Sequence, residues 1–287
     1  MDVLVTQPGQ GVWRTPGERS VRRMIPCPFA WPCAACVGDS CFAFACASAR
    51  ECLVLKKADG QIIRSMPCVP GVSAMALSTC GRYLYQLSSE ADCVHTRLVA
   101  TGELLYAAPT GVFPRCMCPD ESGRHLLVAG GAQNEAYLLS LPALATEKVI
   151  HTRHPCFAAC FCPEGMVLLC AAEGEDIHTA VYGLSARGVR PRLMAELPGQ
   201  PGSLCLCPDG KSVLLSARDG LMKLSLPDGQ LQWNLPEWAL CMRMECRGPL
   251  ALVSGTLDGR VGLISHQSPW KQRVIACGTA AEACFWE

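Results

Sequence analysis

At 287 residues the chain is long enough for a sizeable core, and closed all-β folds of this length form one unit. Half of its residues are hydrophobic and 17% are charged, which excludes a disordered chain. Twenty-five Lys and Arg residues balance 25 Asp and Glu residues, so no global field draws in nucleic acid or an anionic membrane, and neither is expected as a partner.

The N-terminus has no basic segment leading into an apolar core, so it reads as a strand and not as a secretory signal. The longest uncharged stretch, 65–81, is broken by Pro67 and Pro70 and falls short of the roughly 20 residues a spanning helix needs. The expectation is a soluble, cytoplasmic protein. Its 21 cysteines, an odd number in a large chain, then read as reduced, small, soft core residues.

In chain order, short apolar runs at 3–6, 11–14 and 20–25 come first and read as three strands. From residue 33 onward one pattern recurs: an alternating strand, a tight turn and a second apolar strand. It is clearest at Arg115-Cys-Met-Cys-Pro-Asp-Glu-Ser-Gly, Ala159-Cys-Phe-Cys-Pro-Glu-Gly and Leu204-Cys-Leu-Cys-Pro-Asp-Gly. Proline presets φ at the first turn position and glycine accepts positive φ, so the chain reverses there. The turn glycines Gly38, Gly81, Gly123, Gly165, Gly210 and Gly248 are spaced by 43, 42, 42, 45 and 38 residues, the period of a four-stranded propeller blade. Turns such as Asp59-Gly60, Thr101-Gly102 and Asp228-Gly229 join the third and fourth strands of each unit, and no stretch calls for a helix.

Six units leave Ala283-Cys-Phe-Trp-Glu over, which reads as an innermost strand a, while the N-terminal runs read as strands b, c and d. Joining them completes a seventh blade and removes the exposed edges of an open ring. The predicted architecture is therefore a single all-β domain over 1–287, a seven-bladed β-propeller of four-stranded antiparallel blades. Its full blades fall at 33–71, 72–110, 114–154, 157–198, 203–237 and 240–278, and its split blade at 1–25 plus 279–287.

These turn segments resemble the Ser-Pro-Asp-Gly turns of the YVTN and WD-repeat-like propeller superfamily. Ser254-Gly-Thr-Leu-Asp-Gly-Arg-Val and Ser216-Ala-Arg-Asp-Gly-Leu-Met resemble the b-to-c hairpins of WD repeats, although the Trp-Asp and Gly-His pairs are absent. The resemblance implies the fold; function does not follow from it, because propellers host enzymes and scaffolds alike.

Chemistry is sparse. Cys116 and Cys118, Cys160 and Cys162, and Cys205 and Cys207 recur at i and i+2 on innermost strands. Such positions lie roughly 6.5–7 Å apart, whereas two thiolates on one zinc ion lie within about 4 Å. Metal binding by these pairs would need partners from other blades. Cys33-Ala-Ala-Cys36, with Cys27 near by, is the one Cys-x-x-Cys and a weak metal candidate without a second pair. The six histidines form no zinc, nucleophile or phosphate-binding motif, and no cofactor is implied.

Loops on a rigid scaffold concentrate binding residues. The d-to-a connections carry Phe29, Trp31, Phe113, His154, Phe157 and Trp238, with His151 beside His154, and the adjacent strand starts add Arg115 and Arg243. The b-to-c connections on the same face carry Glu51, Glu90, Asp92, Glu135, Glu173, Glu175, Asp176, Asp219 and Asp258. Aromatics and arginine within an acidic surround suit a protein or peptide, so the leading expectation is a non-enzymatic scaffold binding one on this face. The alternatives are a small-molecule ligand, with a hydrolase or lactonase-like enzyme using Arg115, His154 and Arg243 at the channel mouth, and a soft-metal site among the cysteines.

Overall fold

In the computed structural model, residues 2–7, 11–16, 23–25, 34–46, 50–172, 177–254, 259–276 and 282–285 are described. They form seven four-stranded antiparallel sheets, arranged as a β-propeller. Blade 1 spans 34–67, blade 2 72–109, blade 3 116–151, blade 4 156–198, blade 5 201–235 and blade 6 243–276. The remaining sheet pairs Glu282–Phe285 with Asp2–Gln7, followed by Gly11–Pro16 and Arg23–Ile25. In it Val3 lies opposite Phe285, Leu4 opposite Cys284 and Val5 opposite Ala283.

The core is divided among the interfaces between blades. Each of seven clusters of buried side chains draws on two neighbouring sheets. Strands alternate their side chains between faces, so a strand buried on both reads as an unbroken apolar run. On Cys41–Cys46, Phe42 and Phe44 pack towards the terminal sheet, whereas Ala43 and Ala45 pack towards blade 2. On Asp2–Gln7, Leu4 faces blade 1 while Val3 and Val5 face blade 6. The innermost strands touch in ring order, and Glu282–Phe285 touches those of blades 6 and 1. Low aromatic content is explained by this geometry, since the inner strands crowd and admit small side chains such as Ala and Cys.

Local turn chemistry matches the repeat. Asp120 Oδ1 accepts hydrogen bonds from the Arg124 and His125 amides at 2.8 and 3.0 Å, and Oδ2 from Ser122 Oγ and His125 Nδ1 at 2.6 and 2.9 Å. Asp209 does the same for the Lys211 and Ser212 amides. Burial alone would raise the Asp120 carboxyl, but the donors from Ser122, His125 and Arg124 outweigh it and hold the pKa at about 2. A depressed carboxylate stabilises the fold fully above its unfolded pKa of about 3.9, and the contribution is lost as pH falls through its folded value. Asp120→Ala is therefore expected to cost about 1–3 kcal/mol near neutrality, with the difference from wild type shrinking towards pH 2. Urea unfolding of both proteins across acid pH checks this; a cost that does not change with pH would contradict it.

Several details depart from the sequence expectation, among them Glu51 and Glu135, which open the strands Glu51–Lys56 and Glu135–Ser140 and do not lie in connections. Pro236–Trp238 forms a single 3-10 turn where no helix was expected, because proline starts the turn and Trp238 must swing inward to pack. His151, placed by sequence in a connection, instead ends the outer strand Thr146–His151, where its backbone pairs with Glu135. No helix among the described residues is long and apolar enough to cross a membrane.

Candidate functional site

The innermost strands surround a central channel of about 1130 Å³, lined by all seven sheets. Strand a of each blade runs from the d-to-a connection towards the a-to-b turn, so the channel has two chemically distinct ends. At the d-to-a end stand Arg115, Phe157, Gln200, Met242 and Arg243; at the other stand Asp120 and Glu121. Blades 3 and 6 are separated by two blades one way round the ring and three sheets the other, so Arg115 and Arg243 come from nearly opposite walls. Between the ends the wall is largely apolar, with the thiols of Cys36, Cys116, Cys118, Cys160, Cys205 and Cys246 among its lining.

Burial controls these thiols. It raises Cys116, and it pushes Cys118 to about 12. Cys36 is likewise raised, first by burial and then by Cys284, with the Arg243 charge working in the opposite sense. Arg243 therefore acts electrostatically on the thiols of blades 1 and 3, across the channel from its own strand. Glu245, two residues along, accepts a hydrogen bond from the Phe285 amide at 3.0 Å and lies 3.6 Å from Arg247. It ties blade 6 to the terminal strand.

The structure sorts the sequence candidates. Arg115, Phe157 and Arg243 meet the channel mouth. Phe113, two residues before Arg115, lies outside the lining and is 59% exposed, with its backbone in the left-handed region at φ 54° and its amide donating to Asp92 Oδ1 at 2.9 Å. His154 is half-buried and outside the channel lining; its carbonyl accepts from Thr152 Oγ1 at 2.7 Å. Trp238 corrects the sequence reading: it is 1% exposed, so it offers no surface to a partner. Its ring packs among Leu214, Leu221 and Ile264 between blades 5 and 6, lies 4.6 Å beneath the Arg260 guanidinium and donates Nε1–H to Gln272. A Cβ on Gly262 would overlap that ring, which accounts for glycine there.

Cys36 is buried at the channel wall, whereas Phe29, Trp31, Cys27 and Cys33 lie outside the described residues, as do Glu173, Glu175, Asp176 and Asp258. Sequence reasoning missed Met242, 47% exposed at the mouth. Its position just before Arg243 at the start of strand a was the signal that could have found it.

No family model matches this chain, and no curated protein matches it. Solved structures do. Hydrazine synthase of Kuenenia stuttgartiensis superposes with a TM-score of 0.69 at 14% identity, over 82% of this chain and 76% of that one. The dihydro-heme d1 dehydrogenase NirN, solved in complex with DHE, superposes with a TM-score of 0.63 at 17% identity, over 84% of this chain and 55% of that one. At such identity the likeness establishes the fold alone, a β-propeller with four-stranded antiparallel blades.

Proposed function

We propose that the chain is a seven-bladed propeller of the YVTN and WD-repeat-like kind, closed by a split blade, and that it is a non-enzymatic scaffold binding a protein or peptide at the d-to-a mouth of its channel. Phe113 carries the reading. A large apolar side chain with positive φ costs about 1–3 kcal/mol, and here Asp92 holds that backbone while the ring faces solvent. An exposed aromatic held on a strained backbone two residues from Arg115 supports a binding contact, because the exposed ring does not repay the strain by packing. Phe113 and Met242 supply apolar anchors, and Arg115 and Arg243 supply donors for a carboxylate of the partner.

Selection of a displayed peptide library on the immobilised protein, followed by titration of the enriched peptides, tests this. Acidic peptides with apolar neighbours are expected, and Phe113→Ser and Arg115→Ala should each weaken them about tenfold or more. Enriched peptides that bind both variants as tightly as wild type would refute the placement.

The channel volume favours a second reading, a small anionic ligand or substrate held between Arg115 and Arg243, and both superposed proteins are enzymes by name. His154, outside the lining, does not join the arginines in that arrangement. Phe113 also stands outside the lining, so binding that is lost with the arginines but kept in Phe113→Ser would select this reading over the first.

A further inference from the structure

The i and i+2 cysteines on one strand are too far apart to meet, but the ring brings thiols of different blades together. Cys205 on Pro201–Leu206 and Cys246 on Arg243–Arg247 lie with their Sγ atoms 3.3 Å apart, in direct sulfur contact across the seam between blades 5 and 6. Both line the channel and neither is fully buried, so a small oxidant in the channel reaches them. A disulfide bond is about 2.05 Å long, so closure needs a movement of little more than 1 Å between two strands already in contact. Among the described residues, other near thiols lack this combination. Cys156 and Cys170 oppose each other within blade 4, but both are wholly buried. Cys207 also sits near Cys246 and is wholly buried.

We propose that Cys205 and Cys246 form a redox modification site, closing to an inter-blade disulfide when a hydroperoxide enters the channel. One thiolate attacks the peroxide oxygen, giving a sulfenic acid and releasing water or the corresponding alcohol. The second thiol then attacks the sulfenic sulfur, forming the S–S bond and releasing water. The two thiols give up two electrons and two protons, and the O–O bond takes them up. Thiol pKa sets the pace. At Cys205 the hydrogen bond with Cys246 favours the thiolate, but burial together with the neighbouring Cys207, Cys160 and Glu245 outweighs it; at Cys246 the hydrogen bond to Cys205 and burial raise the value against the hydrogen bond with Cys207. The attacking thiolate is thus scarce at neutral pH, and closure is slow, a response to sustained oxidant. The bond would staple blade 5 to blade 6 three residues from Arg243, at the channel wall.

The test uses the intact protein and hydrogen peroxide as the probe, with free thiols then blocked and the unreduced protein cut with trypsin. The expected product joins the peptide 193–211 to the peptide 244–247, with fragmentation between Cys205 and Cys207 placing the link on Cys205. Cys207→Ala should keep the link and Cys205→Ala should lose it. A wild-type digest without the joined peptide, or a link that fragmentation places on Cys207, overturns the proposal, and the wild-type result does not depend on any variant folding.

Discussion

Removing residues 282–287 is expected to unfold the chain instead of shortening it. Ala283, Cys284 and Phe285 are each at most 3% exposed, and their strand touches the innermost strands of both blade 6 and blade 1. Loss of the Phe285 side chain alone would cost about 3–5 kcal/mol. Truncation also strips Val3 and Val5 of partners in their cluster, takes Phe285 from beneath Arg247, and leaves the Asp2–Gln7 edge unpaired. Each buried backbone group left without a partner adds about 1–3 kcal/mol. The sum is of the order of the whole stability of a domain, about 5–15 kcal/mol. Calorimetry of the truncated chain should therefore show no cooperative transition above room temperature. A melting point within a few degrees of the full chain would mean that the ring does not close through this strand.

Trp238→Ala should be severely damaging for a single substitution, lowering stability by about 3–5 kcal/mol. The ring fills the seam between blades 5 and 6, and its removal leaves a cavity bounded by Leu221, Ile264 and Gly262 that small neighbours cannot close. Arg260 loses the ring it stacks on and Gln272 loses its donor. In urea the midpoint should fall with the slope unchanged, the signature of lost stability without a change in the unfolded state. Peptide binding at the mouth, measured well below the midpoint, should persist. A stability loss under about 1 kcal/mol would be incompatible with a buried wedge.

Trp238 and Phe113 are aromatic residues in equivalent connections, and composition assigns them one role. The structure divides them: Trp238 is drawn in by a 3-10 turn that starts at Pro236, whereas Phe113 is held out by a left-handed backbone and Asp92. Asp120 and Asp209 follow proline in tight turns and accept from amides two to five residues on, within their own segments.

The strand-turn-strand period and the four-stranded antiparallel blades of a propeller were legible in the sequence, because hairpins are built from turn chemistry and alternation between near neighbours. The sequence by itself could not determine which side chains of different blades face one another. That depends on how each twisted sheet packs on the next, a relation between residues some forty positions apart that no local spacing encodes. Packing alone placed Cys205 against Cys246, set Arg115 and Arg243 on nearly opposite channel walls, and buried Trp238.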